Sequence, residues 1–176
     1  MRLVLVRHPM PDIQPGLCYG RLDVPLHPTA AAAVGRLAAG LPLIGAARVR
    51  TSSARRCRAL AAAVGEICGA TPVADERLRE LDFGAWEGLP WDDVPRADLD
   101  AWAASPMLFA PPGGESGAAL VARVRAVRDD LRRAGEDCVV VSHGGPLKVL
   151  AALLRGEQPD LLAPPPPLGS AMALVL

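Results

Sequence analysis

Two short runs of apolar residues each end at a histidine. Leu3-Val4-Leu5-Val6 leads into Arg7-His8, and Cys138-Val139-Val140-Val141 leads into Ser142-His143. A half-exposed strand alternates apolar with polar residues, and neither run does. Apolar side chains at odd and even positions alike belong to strands covered on both faces, the situation inside a parallel sheet flanked by helices. The rest of the chain supports that frame. Residues 29–40 read as a helix opened by Pro28, Ala47 to Ser53 as a strand, and 54–69 as a helix with Cys57, Leu60, Ala61, Val64, Ile67 and Cys68 on one face. Thr71 to Ala74 reads as a short strand and 96–104 as a short helix. Ser116 caps a long helix to about 133, Gly144-Gly145-Pro146 turns the chain into a helix over 147–155, and Ala171 to Leu176 is the last strand. Strands alternating with helices give an α/β fold with a mostly parallel central sheet. With 176 residues and no internal repeat or linker, residues 1–176 are expected to form a single domain.

In such sheets the functional crevice lies beyond the carboxyl ends of the strands. His8 and His143 both fall there, whereas His27 sits in a Pro-flanked turn and reads as a surface residue near a helix start. The strand-to-helix junction Ser53-Ala54-Arg55-Arg56-Cys57 adds cations at a helix N-terminus, where backbone N–H groups already favour anions. Glu80 follows two residues after Leu78 in a Gly-bearing loop at 76–95, and a second long loop spans 9–28. Two imidazoles, two guanidiniums and an acid are what phosphoryl transfer to nitrogen requires. One imidazole attacks, cations hold the phosphoryl oxygens, and the acid protonates the leaving alcohol.

At these residues the chain resembles the histidine phosphatase superfamily, also called phosphoglycerate mutase-like. Arg7-His8 is similar to its Arg-His-Gly signature, and Thr51-Ser52-Ser53-Ala54-Arg55-Arg56-Cys57-Arg58 to its Thr-Ser-Pro-Leu-x-Arg-Ala-x segment. Leu78-Arg79-Glu80-Leu81-Asp82-Phe83-Gly84-Ala85-Trp86-Glu87-Gly88 resembles Leu-x-Glu-x-x-Phe-Gly-x-Trp-Glu-Gly. Pro112-Gly113-Gly114-Glu115-Ser116 and Val141-Ser142-His143-Gly144-Gly145 resemble the last two blocks. Five blocks in order, across almost the whole chain, make the resemblance specific. It implies a three-layer α/β/α fold and a phosphatase that needs no metal or other cofactor. It also implies a role for each residue: His8 as the nucleophile, Arg7, Arg56 and His143 as phosphoryl ligands with Gly144 beside them, and Glu80 as proton donor and then activator of water. Asp82 is the runner-up acid, read more simply as a solvated loop carboxylate.

The chain departs from the pattern at Pro9, which stands where the family has Gly and removes a backbone N–H. Activity is expected to survive, because Pro9 also favours an extended His8. The family's downstream Asn is missing, with Gln14 or Asp12 as its replacement.

The segment Gly16-Leu17-Cys18-Tyr19-Gly20-Arg21-Leu22-Asp23-Val24-Pro25-Leu26 resembles the α-ribazole phosphatase branch. That makes α-ribazole 5′-phosphate the expected substrate in cobalamin assembly, with Tyr19, Gly20 and Arg21 as further substrate contacts. Trp86, Trp91 and Trp102 are candidates for an aromatic wall, Trp86 first because it flanks Glu80. A broad-specificity phosphatase, a phosphohistidine-protein phosphatase and an inactive phospho-ligand binding module are the competing readings.

Equal numbers of acidic and basic residues give a net charge of zero, so nothing draws the chain to nucleic acid or to an anionic membrane. The expected partner is a small-molecule phosphate ester. The first apolar run is too short for a signal peptide and the four cysteines show no ligand spacing, so a cytoplasmic protein with reduced thiols is expected. An edge strand at Ala171 to Leu176 leaves open a homodimer.

Overall fold

The computed structural model describes residues 1–43 and 47–176. Five strands, β1 (Arg2–Arg7), β2 (Arg48–Thr51), β3 (Val73–Ala74), β4 (Cys138–Ser142) and β5 (Ala171–Val175), form one sheet in the order β3-β2-β4-β1-β5. All neighbours run parallel except β5, which pairs antiparallel with β1. The helices are α1 (Pro28–Ala39), α2 (Arg55–Cys68), α3 (Arg96–Ala104), α4 (Gly117–Ala134) and α5 (Gly144–Arg155).

Successive residues of β1 feed opposite faces. Leu3 and Leu5 join Cys138 and Val140 in a core completed by α4 and α5, while Val4 and Val6 join Val49, Val139 and Val141 in a second core completed by α1 and α2. That division is the three-layer α/β/α sandwich, and it explains why β1 and β4 carry no polar alternation. A third, smaller cluster of Cys18, Trp86 and Val94 stands under the loops that follow β1 and β3.

The elements differ from the sequence reading at several points, β3 being only Val73–Ala74 instead of Thr71 to Ala74. β2 is confined to Arg48–Thr51, because Ser52 already turns toward α2. Ile67 is 49% exposed rather than packed, since it falls outside the stripe of Cys57, Leu60, Ala61, Val64 and Cys68 that faces the sheet. The loop at 76–95 is built from three short 3-10 turns, Glu76–Leu78, Gly84–Trp86 and Trp91–Asp93. Lastly, α5 begins at Gly144, so the two glycines and Pro146 make its first turn instead of preceding it. Proline fits there because first-turn N–H groups have no intrahelical partner. His27 has a defined task too. It is the N-cap of α1, with Nδ1 accepting from the Thr29 N–H at 3.4 Å.

Among the described residues no helix is long and apolar enough to cross a membrane.

Candidate active site

The register of β1 and β4 brings the two histidines together. Arg7 pairs with Ser142, so the next residue on each strand is His8 and His143, side by side at the sheet's carboxyl edge. Their ring centroids are 5.1 Å apart in an edge-to-face arrangement. Both are buried, His8 at 1% exposure. The His8 N–H donates to Ser142 O at 3.0 Å, continuing the ladder by one residue. Its ring is held from the other side: Nδ1 is 2.7 Å from the carbonyl oxygen of Pro9. A carbonyl only accepts, so Nδ1 carries the proton and Nε2 keeps its lone pair. This contact comes from the backbone carbonyl, so proline at position 9 supplies it as any residue would.

Burial holds the His8 imidazole in its neutral form, lowering its pKa to about 3, against a raising contribution from the Pro9 carbonyl and with the positive charges of Arg56 and Arg7 acting in the same direction as burial. His143 is also held well below the ordinary imidazole value by burial, and then by Arg56, His8, Arg123 and Arg7. Its Nε2 is 2.8 Å from Ser52 Oγ and 3.5 Å from Cys57 Sγ. Ser52 Oγ in turn accepts the Ala54 N–H at 3.3 Å, so the turn that starts α2 also orients His143.

Arg56, the second residue of α2, is completely buried. Nη1 donates to Leu22 O and Nη2 to Gly20 O, each at 2.8 Å, and Tyr19 lies over the guanidinium with its ring centroid 5.4 Å away. Arg7 donates from Nη1 to Pro166 O at 2.6 Å. The Nε–H of each arginine is buried without an acceptor among the described residues. Leaving a charged donor unpaired costs about 1–3 kcal/mol or more. Two such donors beside an unprotonated imidazole mark a place made for an anion.

Glu80 stands on the segment joining the first two 3-10 turns. Its carboxylate accepts the Gly145 N–H at 3.2 and 3.3 Å and the Leu81 N–H at 3.0 Å, so the first turn of α5 grips the acid. A Cβ on Gly145 would collide with Glu80 Oε1, and one on Gly144 would collide with Pro165. The segment itself is clamped by Arg123, whose Nη1 donates to the carbonyls of Arg77 and Arg79, both at 2.6 Å, and whose Nη2 donates to Glu80 O at 3.1 Å. Its Nε pairs with Glu115 at 2.7 Å. Arg123 has no motif of its own within the helical pattern of α4, and the sequence reading passed over it.

Beside Arg7 and Glu80 opens a cavity of about 590 Å³. Phe83, Leu99, Trp91 and Trp102 wall one side, with Phe83 edge-on to Trp91 at 5.4 Å. The aromatic wall therefore exists, but through Trp91 and Trp102. Trp86 is 2% exposed and packs behind them with Cys18 and Val94, because the turn at Gly84–Trp86 rotates it inward.

The remaining expected contacts fall unevenly. Tyr19 and Gly144 line the cavity. Gln14 is exposed in a neighbouring groove with Met10 and His27, on the other side of Tyr19 from the cavity, and Asp12 is exposed there as well. Hydrogen bonds from Asp12 N to Pro25 O and from His27 N to Met10 O stitch the loop's base to residues 25–27 and swing its tip outward. Gly20 acts through its backbone. Its carbonyl receives Arg56, and a Cβ there would strike Leu81 O, so two loops touch at that point. Arg21 turns toward Glu115 at 3.8 Å, while its own N–H donates to Glu87 Oε1 at 2.7 Å. Asp82 accepts from Gly84 N at 2.9 Å and shapes its turn. Among the described residues no three His, Cys, Asp or Glu side chains are grouped to hold a metal ion.

Comparison with known proteins identifies the family. The family model of the histidine phosphatase superfamily (branch 1) matches residues 3–170. The chain is 34% identical over 177 residues to the glucosyl-3-phosphoglycerate phosphatase of Mycolicibacterium vanbaalenii, covering 90% of this chain and 76% of that one. It is 27% identical over 162 residues to phosphoserine phosphatase 1 of Hydrogenobacter thermophilus, covering 89% and 77%. Among solved structures it is similar to an Escherichia coli K-12 protein provisionally described as an alpha-ribazole-5′-P phosphatase, with a TM-score of 0.86, 25% identity, and coverage of 98% and 89%.

Proposed function

The chain belongs to the histidine phosphatase superfamily, and from that premise we propose that it hydrolyses α-ribazole 5′-phosphate through a covalent phosphohistidine on His8. In this reading His8 Nε2 attacks phosphorus while Arg7, Arg56 and His143 hold the phosphoryl oxygens. Glu80 gives its proton to the departing alkoxide. It then takes a proton from the water that breaks the P–N bond, which releases phosphate and restores His8. Of the buried donors that find no acceptor among the described residues, Arg7 Nε and Arg56 Nε support the phosphoryl site.

One observation carries the choice of ester: the aromatic wall of Phe83, Trp91 and Trp102 beside Glu80. The leaving group of α-ribazole 5′-phosphate bears a flat, apolar benzimidazole, which such a wall favours by burial and offset contact. Phosphoserine and glucosyl-3-phosphoglycerate, the substrates in the names of the two curated relatives, carry carboxylates. Apart from Arg7, the cavity's cation is Lys148, which already donates to two backbone carbonyls. A recessed His8 also disfavours a folded phosphoprotein as substrate.

Phosphate release in EDTA from α-ribazole 5′-phosphate, phosphoserine and glucosyl-3-phosphoglycerate tests the reading. A kcat/KM at least about a hundredfold higher for α-ribazole 5′-phosphate is expected, roughly what a buried aromatic contact contributes. Equal rates would keep the phosphatase and discard this ester, and no release from any ester would discard both.

A further inference from the structure

From α5 to β5 the chain runs over residues 157–170 with no helix or strand, through four consecutive prolines, Pro164–Pro167. Consecutive prolines hold an extended, stiff backbone. Glycines with positive φ stand at either end, Gly156 at 77° and Gly169 at 71°. Only glycine adopts that geometry freely, so the segment is a stiff strap bounded by two glycine turns.

The strap divides two hollows. On one side is the 590 Å³ cavity beside Glu80, and on the other a second cavity of about 330 Å³ bounded by Leu5, Ala151 and Met172. Ala163, Pro164, Pro165 and Lys148 border both. Packing holds the strap at Leu161, against the core and Gly117, and at Pro165, against Gly144. Between the two hollows the rest of its position depends on polar ties. Arg7 Nη1 donates to Pro166 O, the Arg7 N–H donates to Ser170 O at 3.0 Å, Gly169 N donates to His8 O at 3.1 Å, and Lys148 Nζ donates to Leu161 O at 2.5 Å and Ala163 O at 2.8 Å. Lys148 is the only lysine in the chain, and its stem projects from α5, which is anchored in the core.

We propose that Lys148 is a positioning residue that fixes the proline strap as one wall of the leaving-group cavity, and so governs which esters bind rather than how the phosphoryl group moves. Leu161, Leu162, Pro164 and Pro165 line that cavity from the strap side. With the ammonium removed, the strap swings between the two hollows and the wall loses its register with Trp91 and Trp102. Transfer from a small phosphoryl donor does not use that wall. This inference rests on the phosphatase reading for its kinetic part, but not for its structural part.

The test compares K148M, K148R and the double variant P164G/P165G, which loosens the strap without touching the lysine. Hydrogen exchange reads the strap directly. The amides of residues 161–163 and 168–170, on either side of the prolines, are expected to exchange at least about tenfold faster in K148M and in the double variant, and near the wild-type rate in K148R. Kinetically, KM for α-ribazole 5′-phosphate is expected to rise about tenfold in K148M and in the double variant, with kcat and the turnover of acetyl phosphate within about twofold. Unchanged exchange in K148M overturns the inference whatever the kinetics. A matching loss on acetyl phosphate also overturns it, as does an unchanged KM in P164G/P165G beside a raised one in K148M, since that pattern assigns Lys148 to direct substrate contact. A wild-type protein inert toward every ester instead overturns the phosphatase reading, and the exchange result still decides the strap.

Discussion

The Nδ1 atom of His8 sits 2.7 Å from the carbonyl oxygen of its own neighbour, Pro9. That contact selects the tautomer with Nε2 free, and it needs the backbone at position 9 but not its side chain. Replacing Pro9 with Gly is therefore expected to leave turnover within about threefold of wild type. His8→Ala should abolish both turnover and acid-labile phosphoenzyme. Phosphorus NMR of the denatured phosphoenzyme should show the Nε2-phosphorylated isomer. An Nδ1 isomer, or full activity in His8→Ala, would remove the mechanism.

Both imidazoles titrate below their unfolded value of 6.5. The nucleophile therefore stays unprotonated on the acid side of neutrality. Phosphoenzyme formation from acetyl phosphate is expected to be flat between about pH 7 and pH 5, where an ordinary imidazole would lose its lone pair. Stability behaves differently. Between the folded and unfolded values the unfolded chain binds more protons, so the His8 contribution is complete above 6.5 and declines as pH falls toward about 3, and His143 acts in the same direction. His8 adds a slope of up to about 1.4 kcal/mol per pH unit in that window. Denaturant titrations of wild type and His8→Asn at several pH values should differ in that slope, and identical slopes would contradict it.

Glu80→Gln separates acid catalysis from phosphoryl transfer. The amide can still accept from Gly145, so the fold is expected to hold. Formation of the phosphoenzyme from p-nitrophenyl phosphate should persist, because that leaving group departs unprotonated. Turnover of an alkyl phosphate should drop by about a hundredfold or more. Equal losses on the two esters would take Glu80 out of the role.

Arg123 does not line the cavity, yet it holds the carbonyls of Arg77, Arg79 and Glu80 together with the Glu115 carboxylate. Arg123→Met takes the guanidinium from three carbonyls and leaves the mostly buried Glu115 carboxylate with only the distant Arg21 and the Asp82 N–H. A loss of about 3 kcal/mol is expected in chemical denaturation, as for other broken buried pairs. The variant Glu115→Gln should lose less, because the three carbonyl contacts survive. The reverse order would mean that the ion pair, and not the carbonyl clamp, supports the Glu80 segment.

What the sequence made legible was the part governed by local rules. β1 and β4 could be read because unbroken apolar runs have only one comfortable home, and the histidines at their ends because strand ends face the crevice. The start of α4 was legible through Ser116, whose Oγ receives the Ala119 N–H at 3.3 Å. What escaped depends on which distant backbone a side chain meets. Ser52, Arg123 and Lys148 act on groups contributed by other elements, and no periodicity announces such partners. Which tryptophan faces the cavity was settled by a single 3-10 turn that sends Trp86 inward and leaves Trp91 and Trp102 in front. The start of α5 was misplaced because paired glycines read as a break, when here they give Glu80 and Pro165 room to approach the helix.

All four cysteines are free and buried, and burial raises the thiol of Cys57, which touches the His143 ring, above its ordinary value. A thiol reagent needs both thiolate and a path, so the closed molecule offers it nothing, and each sulfur becomes readable only when its own surroundings part. Cys57 then keeps time for the crevice and Cys138, at the foot of β4, for the sheet. The molecule carries its own clocks, and the two sulfurs tick at the rates at which the catalytic edge and the whole fold come undone.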